Sequence, residues 1–394
     1  MKTLEGIRVL DFCRVLAGPY STMILADLGA EVIKVERPGS GDFSRGSGPF
    51  VKERSAYFMS INRGKKSVTL DLKRPEGRDI ALRLADECDI AIENFRPGVM
   101  ERLGLGAETL RERNPRLIYA SVTGFGQSGP YAERPAYDLI VQAMGGLMSI
   151  TGAPGGPPIR AGYSIGDLGA AVWTAVGMLA ALFERERSGV GQRLDISMLD
   201  SQVALCENAI ARYFATDEIP EPIGSRHPLS APFQAYPTRD GHVVVAIVQN
   251  EEWKRLCREL KLDDFARDPR LQTREGRYRN QAVMEGPLTA LFQTRTTAEW
   301  LDCLTGIGIP CGPVHTIDQV VADPQVRHRN MIVEREQEGI GPFPFVNSPV
   351  RLDRTPPDIE RGAPALGEHT DAILGGLLGI RGDEIRELRE RGVL

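Results

Sequence analysis

The segment 6–36 admits few folds. Residues 6–12 (GIRVLDF) form a short β-branched run, Ala17-Gly18-Pro19 breaks it, 21–28 reads as a helix stopping at Gly29, and 30–36 (AEVIKVE) is extended again. Pro19 suits the first turn of that helix, where its missing N–H is no loss. Two strands joined through a helix lie parallel, and a parallel sheet needs helices on both faces. The alternation must therefore continue, and it does. Segment 68–72 is a strand, 75–87 a helix, 89–93 a strand, 100–113 a helix with a glycine break and 116–123 a strand. The fold expected is α/β, with a large Rossmann-like doubly wound domain.

At 394 residues the chain exceeds one compact core. Five prolines between 219 and 237 mark a stiff connector. Beyond it a smaller α/β domain is expected, with a strand at 241–248 and helices at 251–261, 280–292 and 297–306. The large domain is placed at 1–200, the connector at 201–235 and the small domain at 236–318. Residues 319–394 are expected to lead back to the large domain, because the last helix, 383–391, has no core of its own.

Net charge is −5, which argues against nucleic acid as a partner. The six cysteines form no CxxC pair and the histidines no HExxH, so no metal site is expected and free thiols are. The opening MKTLEGIRVLDF lacks the apolar core of a signal peptide. The apolar uncharged run 168–183 is shorter than the roughly 18–20 residues of a membrane span. A cytoplasmic protein without membrane partners is expected.

In the stretch 157–195, apolar residues recur at helical spacing after Asp167: Leu168, Ala171, Val172, Ala175, Val176 and Leu179. The pattern predicts a helix packed on nearly all sides and ending at Ser188-Gly189. Asp167 stands at its start, where free N–H groups and the helix dipole favour an ionised carboxylate. An N-cap would explain such an aspartate. Gly162, Gly166 and Gly169 around it also leave room for a ligand to approach.

Two nucleotide motifs fail. The first turn lacks GxGxxG, although Glu36 stands where a ribose-binding acid would. Gly64-Lys65-Lys66-Ser67 resembles a P-loop tail, but position 59 is Met59 and a strand follows. Basic residues do recur beyond strand ends: Arg37, Lys73, Arg96 and Arg102. That is where open parallel sheets bind ligands, and a phosphate-rich anion would suit them.

Five segments, GIRVLDFCRVLAGPYSTMILADLGAEVIKVERPGSGD, NRGKKSVTLDLK, DIAIENFRPGVMERLGLG, NPRLIYASVTGFGQSGPY and IGDLGAAVWTAVGMLAALFERERSGVGQ, together resemble the class III CoA-transferases. This is the formyl-CoA transferase and carnitine CoA-transferase family, of CaiB/BaiF type. The resemblance implies Asp167 as nucleophile. It places coenzyme A contacts on Leu16, Ala17, Arg37, Leu70, Lys73, Asn94, Phe95, Arg96, Arg102, Tyr137 and Asp138. It also implies an interlocked homodimer, an acyl-CoA and a small carboxylic acid as partners, and no permanently bound cofactor, the CoA thioester being substrate.

A carboxyl nucleophile suits the reaction so implied, since its anhydride and thioester both retain the acyl-transfer potential. N–H groups at the helix start are expected to serve the developing oxyanions. Succinyl-CoA is the expected donor. The same fold houses α-methylacyl-CoA racemases, whose Gly-His-Asp motif is here Ala136-Tyr137-Asp138; a phenol is a poor base near pH 7. A racemase and a non-catalytic CoA-binding module are the alternative readings. Formyl-CoA transferase carries a glycine-rich flap where this chain has Val248-Gln249-Asn250-Glu251, and a glutamine where it has Leu16. Arg160, Arg45 and polar groups of the small domain each offer to read a second carboxylate of the acceptor.

Overall fold

The computed structural model describes residues 2–394. Six strands form one sheet: β1 Arg8–Asp11, β2 Glu31–Glu36, β3 Lys66–Thr69, β4 Ile90–Glu93, β5 Ile118–Thr123 and β6 Arg193–Ser197. Their order is β3-β2-β1-β4-β5-β6, and every pairing is parallel. Alternate residues of these strands feed two separate cores. Leu10, Ile33, Ala91 and Tyr119 pack with Ile80, Leu84 and Leu110 on one face. Val9, Val32, Ile90 and Ala120 pack with Leu25, Ala170 and Met178 on the other. Helices thus cover both faces, which is why adjacent residues such as Val9-Leu10, Val32-Ile33 and Ile90-Ala91 are apolar on both sides of the sheet.

The strand order reverses between β1 and β4, so a crevice opens beyond their carboxyl ends. Two strands depart from the sequence reading. β3 begins two residues early, at Lys66, because its main chain pairs with β2 from Ile33 onward. β6 was not foreseen: its Arg193 and Asp195 break the apolar run, as an edge strand allows.

Contacts divide the chain into two compact units. The first holds the chain through Leu147, Arg160–Ala215 and Pro324–Leu394; the second holds Met148–Ile159 and Thr216–Asp323. Within the first, Ile385, Leu388, Val393 and Leu394 share a core with Leu10 and Ile33, and the Asp71 N–H donates to Val393 O at 2.8 Å. The second unit is built on strands β7 Phe233–Pro237, β8 His242–Ala246 and β9 Cys311–Pro313 in the order β9-β8-β7. These pair antiparallel. The connection between β7 and β8 is too short for a crossover, so the two form a hairpin; the sequence reading had one strand here, at 241–248. Tyr236, Trp253, Phe292 and Trp300 fill its core. Its segment 248–251 is the start of the helix Asn250–Glu259, where the Val248 and Gln249 N–H groups both donate to Glu252 Oε2.

Candidate active site

Three helices of the first unit frame the site: α1 Ala17–Asp27, α2 Asp138–Met144 and α3 Ile165–Ser188. Asp167 is the third residue of α3; the cap position is Ser164, which makes no side-chain cap bond. The capping explanation therefore fails. Among the described residues the Asp167 carboxylate has neither a hydrogen-bond donor nor a cation in ion-pair range. Burial, and then the neighbouring Asp138, push its pKa up from 3.8 to about 7. The dipole expectation is overturned by magnitude. A helix N-terminus offers about 0.3–1 kcal/mol, whereas a shift of about three units corresponds to about 4 kcal/mol.

Asp138, at the first position of α2, ties the two helix starts together. Its Oδ1 accepts from Gly166 N–H at 2.8 Å, and its Oδ2 from Gln142 Nε2 at 2.7 Å. Buried Gln142 in turn accepts from Ala161 N–H at 2.9 Å. Gly166 is required here, because a Cβ would stand 2.6 Å from Val141 Cγ2 and 3.0 Å from Asp138 Oδ1. At Gly169 a Cβ would meet Leu205 Cδ1 at 2.9 Å, while Gly162 faces open space. Two of the three glycines therefore serve helix packing rather than ligand clearance.

The N–H groups at the start of α3 are largely spent. Ile165 donates to Tyr163 O, Gly166 to Asp138 and Leu168 to Ser164 O, leaving the Asp167 N–H itself without a bond among the described residues. The helix start thus offers one oxyanion donor, not several. Tyr57, in the helix Ala56–Asn62, is close enough for Asp167, Asp42 and Asp138 to add to the effect of burial, which together raise its phenol to about 12. It stays a hydrogen-bond donor at neutral pH. Nothing in its sequence context marks it out.

A cavity of about 250 Å³ opens beyond β1, β2, β3 and β4, and it gathers Arg37, Leu70, Lys73, Phe95 and Arg102. Arg14 joins them, its guanidinium 4.4 Å from the centre of the Phe95 ring. This is at the small end for a ligand site, sized for part of a large ligand. Cationic side chains beside Val35, Leu72 and Leu103 suit a flat apolar group carrying phosphate. The remaining candidates lie otherwise. Leu16 and Ala17 bury their side chains at the start of α1, and Arg96 and Tyr137 are exposed. Asn94 clasps Arg14, accepting from its N–H at 2.8 Å and donating to its carbonyl at 2.7 Å.

Several charges are already committed. Glu36 accepts from Arg45 at 2.6 and 2.7 Å and from Ser67 Oγ at 2.6 Å. Arg45 also donates to Pro364 O and lies over the Phe58 ring, which removes it as a reader of a second carboxylate. Lys65 is fully buried and bonded to Asp11, Pro19 O and Asn62, and Lys66 pairs with Glu31. Both lysines of the P-loop-like stretch are structural. Lys34 bridges Asp42 at 2.8 Å and Cys13 O at 2.7 Å. Burial alone would raise Asp11, but Lys65 and Lys34 more than offset it and hold it at about 2. Glu93, missed in the sequence, accepts from Phe95 N–H at 2.7 Å behind the cavity wall, and burial pushes it to about 7.

Residues 4–370 match CoA-transferase family III. The chain is 39% identical over 395 residues to the succinyl-CoA:glutarate CoA-transferase of Mus musculus, covering 100% of this chain and 91% of that protein. It is 41% identical over 371 residues to the acetyl-CoA:oxalate CoA-transferase of Acetobacter aceti, 94% of each being covered. The crystal structure of a CaiB/BaiF family protein from Brucella suis is similar with a TM-score of 0.86 and 36% identity, over 95% of this chain and 99% of that one.

Proposed function

The chain belongs to the class III CoA-transferases and is a CoA-transferase, and from that premise we propose that Asp167 is its nucleophile and that it carries CoA from succinyl-CoA to a free dicarboxylic acid. One observation carries the assignment. Asp167 is a half-buried carboxylate with no partner, next to a second carboxylate, so it costs stability without structural return. A group with a pKa of about 7 is in large part ionised at neutral pH and, lacking donors, is a more reactive nucleophile than a solvated carboxylate.

In the proposed sequence an Asp167 oxygen attacks the thioester carbonyl and the C–S bond breaks. This gives a mixed anhydride and CoA thiolate. The thiolate attacks the aspartyl carbonyl, releasing the donor acid and leaving an aspartyl-CoA thioester. The acceptor carboxylate attacks that carbonyl, forming a second anhydride and freeing the thiolate again. Attack of the thiolate on the acceptor's carbonyl yields the new thioester and restores Asp167. The Asp167 N–H and the Tyr57 phenol are the donors on hand for the oxyanions.

The cavity beyond the strand ends, with Arg37, Lys73 and Arg102, is proposed to receive part of coenzyme A. An interlocked homodimer is part of the same proposal. Its support is the open side of α3, where Val172, Trp173, Val176 and Phe183 are 44–63% exposed. The sequence pattern had Val172 and Val176 packed. By length and composition α3 is also apolar enough to cross a membrane, while Ala170, Met178 and Leu182 bind it into the core of this unit.

The test is mass spectrometry of the tryptic peptide 161–185 after incubation with succinyl-CoA and hydroxylamine. A hydroxamate on Asp167 is expected. An unmodified peptide from a protein that still binds CoA would refute the assignment.

A further inference from the structure

A diacid brings two negative charges to a place that already holds Asp167 and Asp138. The second carboxylate needs a cation, and the basic groups of this unit can be ranked by what they already do. Arg45 spends its donors on Glu36 and Pro364 O. Lys34 and Lys65 are buried and saturated. Arg14 lies over Phe95 at the strand-end cavity.

Arg160 is different. It is about half exposed, and its Nη2 stands 3.9 Å from Asp138 Oδ2, beyond hydrogen-bond distance. Both Asp138 oxygens are already taken, by Gly166 N–H and Gln142 Nε2. Its guanidinium donors are therefore unspent, yet its main chain is fixed, because the next residue's N–H donates to Gln142 Oε1. Asp138, which this guanidinium faces at 3.9 Å, is itself bonded to Gly166 N–H in the turn that carries Asp167.

We propose that Arg160 determines specificity by binding the distal carboxylate of a dicarboxylic acceptor while the other carboxylate reaches Asp167. The proposal rests on Asp167 as the nucleophile. A planar guanidinium fork takes a carboxylate through two parallel N–H bonds, and the acceptor's length would decide whether it spans from that fork to Asp167.

The experiment compares glutarate with monomethyl glutarate as acceptors, using succinyl-CoA as the one donor so that any effect on the donor cancels in the ratio. In Arg160→Met, kcat/KM for glutarate should fall on the order of tenfold or more, while that for the monoester stays within about twofold. Arg160→Lys should recover part of the loss. Equal losses on both acceptors would make Arg160 a structural partner of Asp138 and overturn the proposal, as would no loss on either. The Asp167 hydroxamate separates the two levels. Its presence in wild type and variant leaves the nucleophile standing while the ratio judges Arg160, and its absence from wild type overturns both.

Discussion

Replacing Asp167 by Asn should stabilise the protein at neutral and alkaline pH. In the folded chain the carboxyl titrates at about 7 instead of 3.8. A carboxyl whose folded pKa is raised holds its proton more tightly when folded. Its cost to stability is therefore absent below about pH 4, grows as pH rises towards 7, and is constant above that. Three units at about 1.36 kcal/mol each set a ceiling of about 4 kcal/mol. Residual solvent contact screens part of this, leaving about 2 kcal/mol. Asparagine keeps the shape and never ionises. Thermal melts of the two proteins at intervals from about pH 4 to 8 should then coincide at the acid end, with the variant several degrees higher at pH 8. Coincident melts at pH 8, or a less stable variant, would show that Asp167 has a partner in the folded protein and would remove the main argument for its role.

With Asp167 as the proposed nucleophile, the same pKa predicts that kcat/KM falls below about pH 7 as this carboxylate takes up its proton in the free enzyme. Because burial outweighs Asp138 as the cause, Asp138→Asn should lower that limb without returning it to the ordinary carboxylate range; a profile flat to about pH 5.5 in wild type contradicts the raised pKa. Lys65→Met strips a buried carboxylate of its closest cation, 3.0 Å from Asp11 Oδ2. It should cost about 3–5 kcal/mol in urea unfolding, and a loss under about 1 kcal/mol would mean that Lys34 and Thr22 suffice.

The sheet was legible because a parallel strand is buried on both faces, so its centre is apolar, as Val9-Leu10, Val32-Ile33, Ile90-Ala91-Ile92 and Ile118-Tyr119-Ala120 are. β6 was hidden by Arg193 and Asp195, which an edge position tolerates. In α3 the helical period was plain, but period alone does not say which apolar residues are covered, so Val172 and Val176 were misjudged. Glycine clearance was misread for a similar reason. A glycine beside a candidate nucleophile looks alike in sequence whether it faces a ligand or, like Gly166, another helix. Arg37, Lys73 and Arg102 could be grouped because strand ends converge in this topology. Gln142, Tyr57 and Glu93 could not, since each owes its place to a tertiary contact with no local pattern.

Partners, not position, separate the carboxylates of this unit. Asp11, Glu36 and Asp42 all stand at or beyond strand ends, as a ligand-binding acid would, and each is held ionised by a lysine or arginine within 3.0 Å. Those pairs fix the loops around the cavity, and their charge is cancelled where it sits. Asp167 lies in the same unit with its charge uncancelled and Asp138 adding to it. Desolvating an anion beside another anion runs against folding, and the low-dielectric setting makes the conflict larger. A chain under selection for stability alone would place asparagine or a cation there. That it keeps an aspartate, and ties Asp138 beside it with two hydrogen bonds, is what the proposed nucleophilic role requires: an ionised form consumed by a reaction that returns it unchanged.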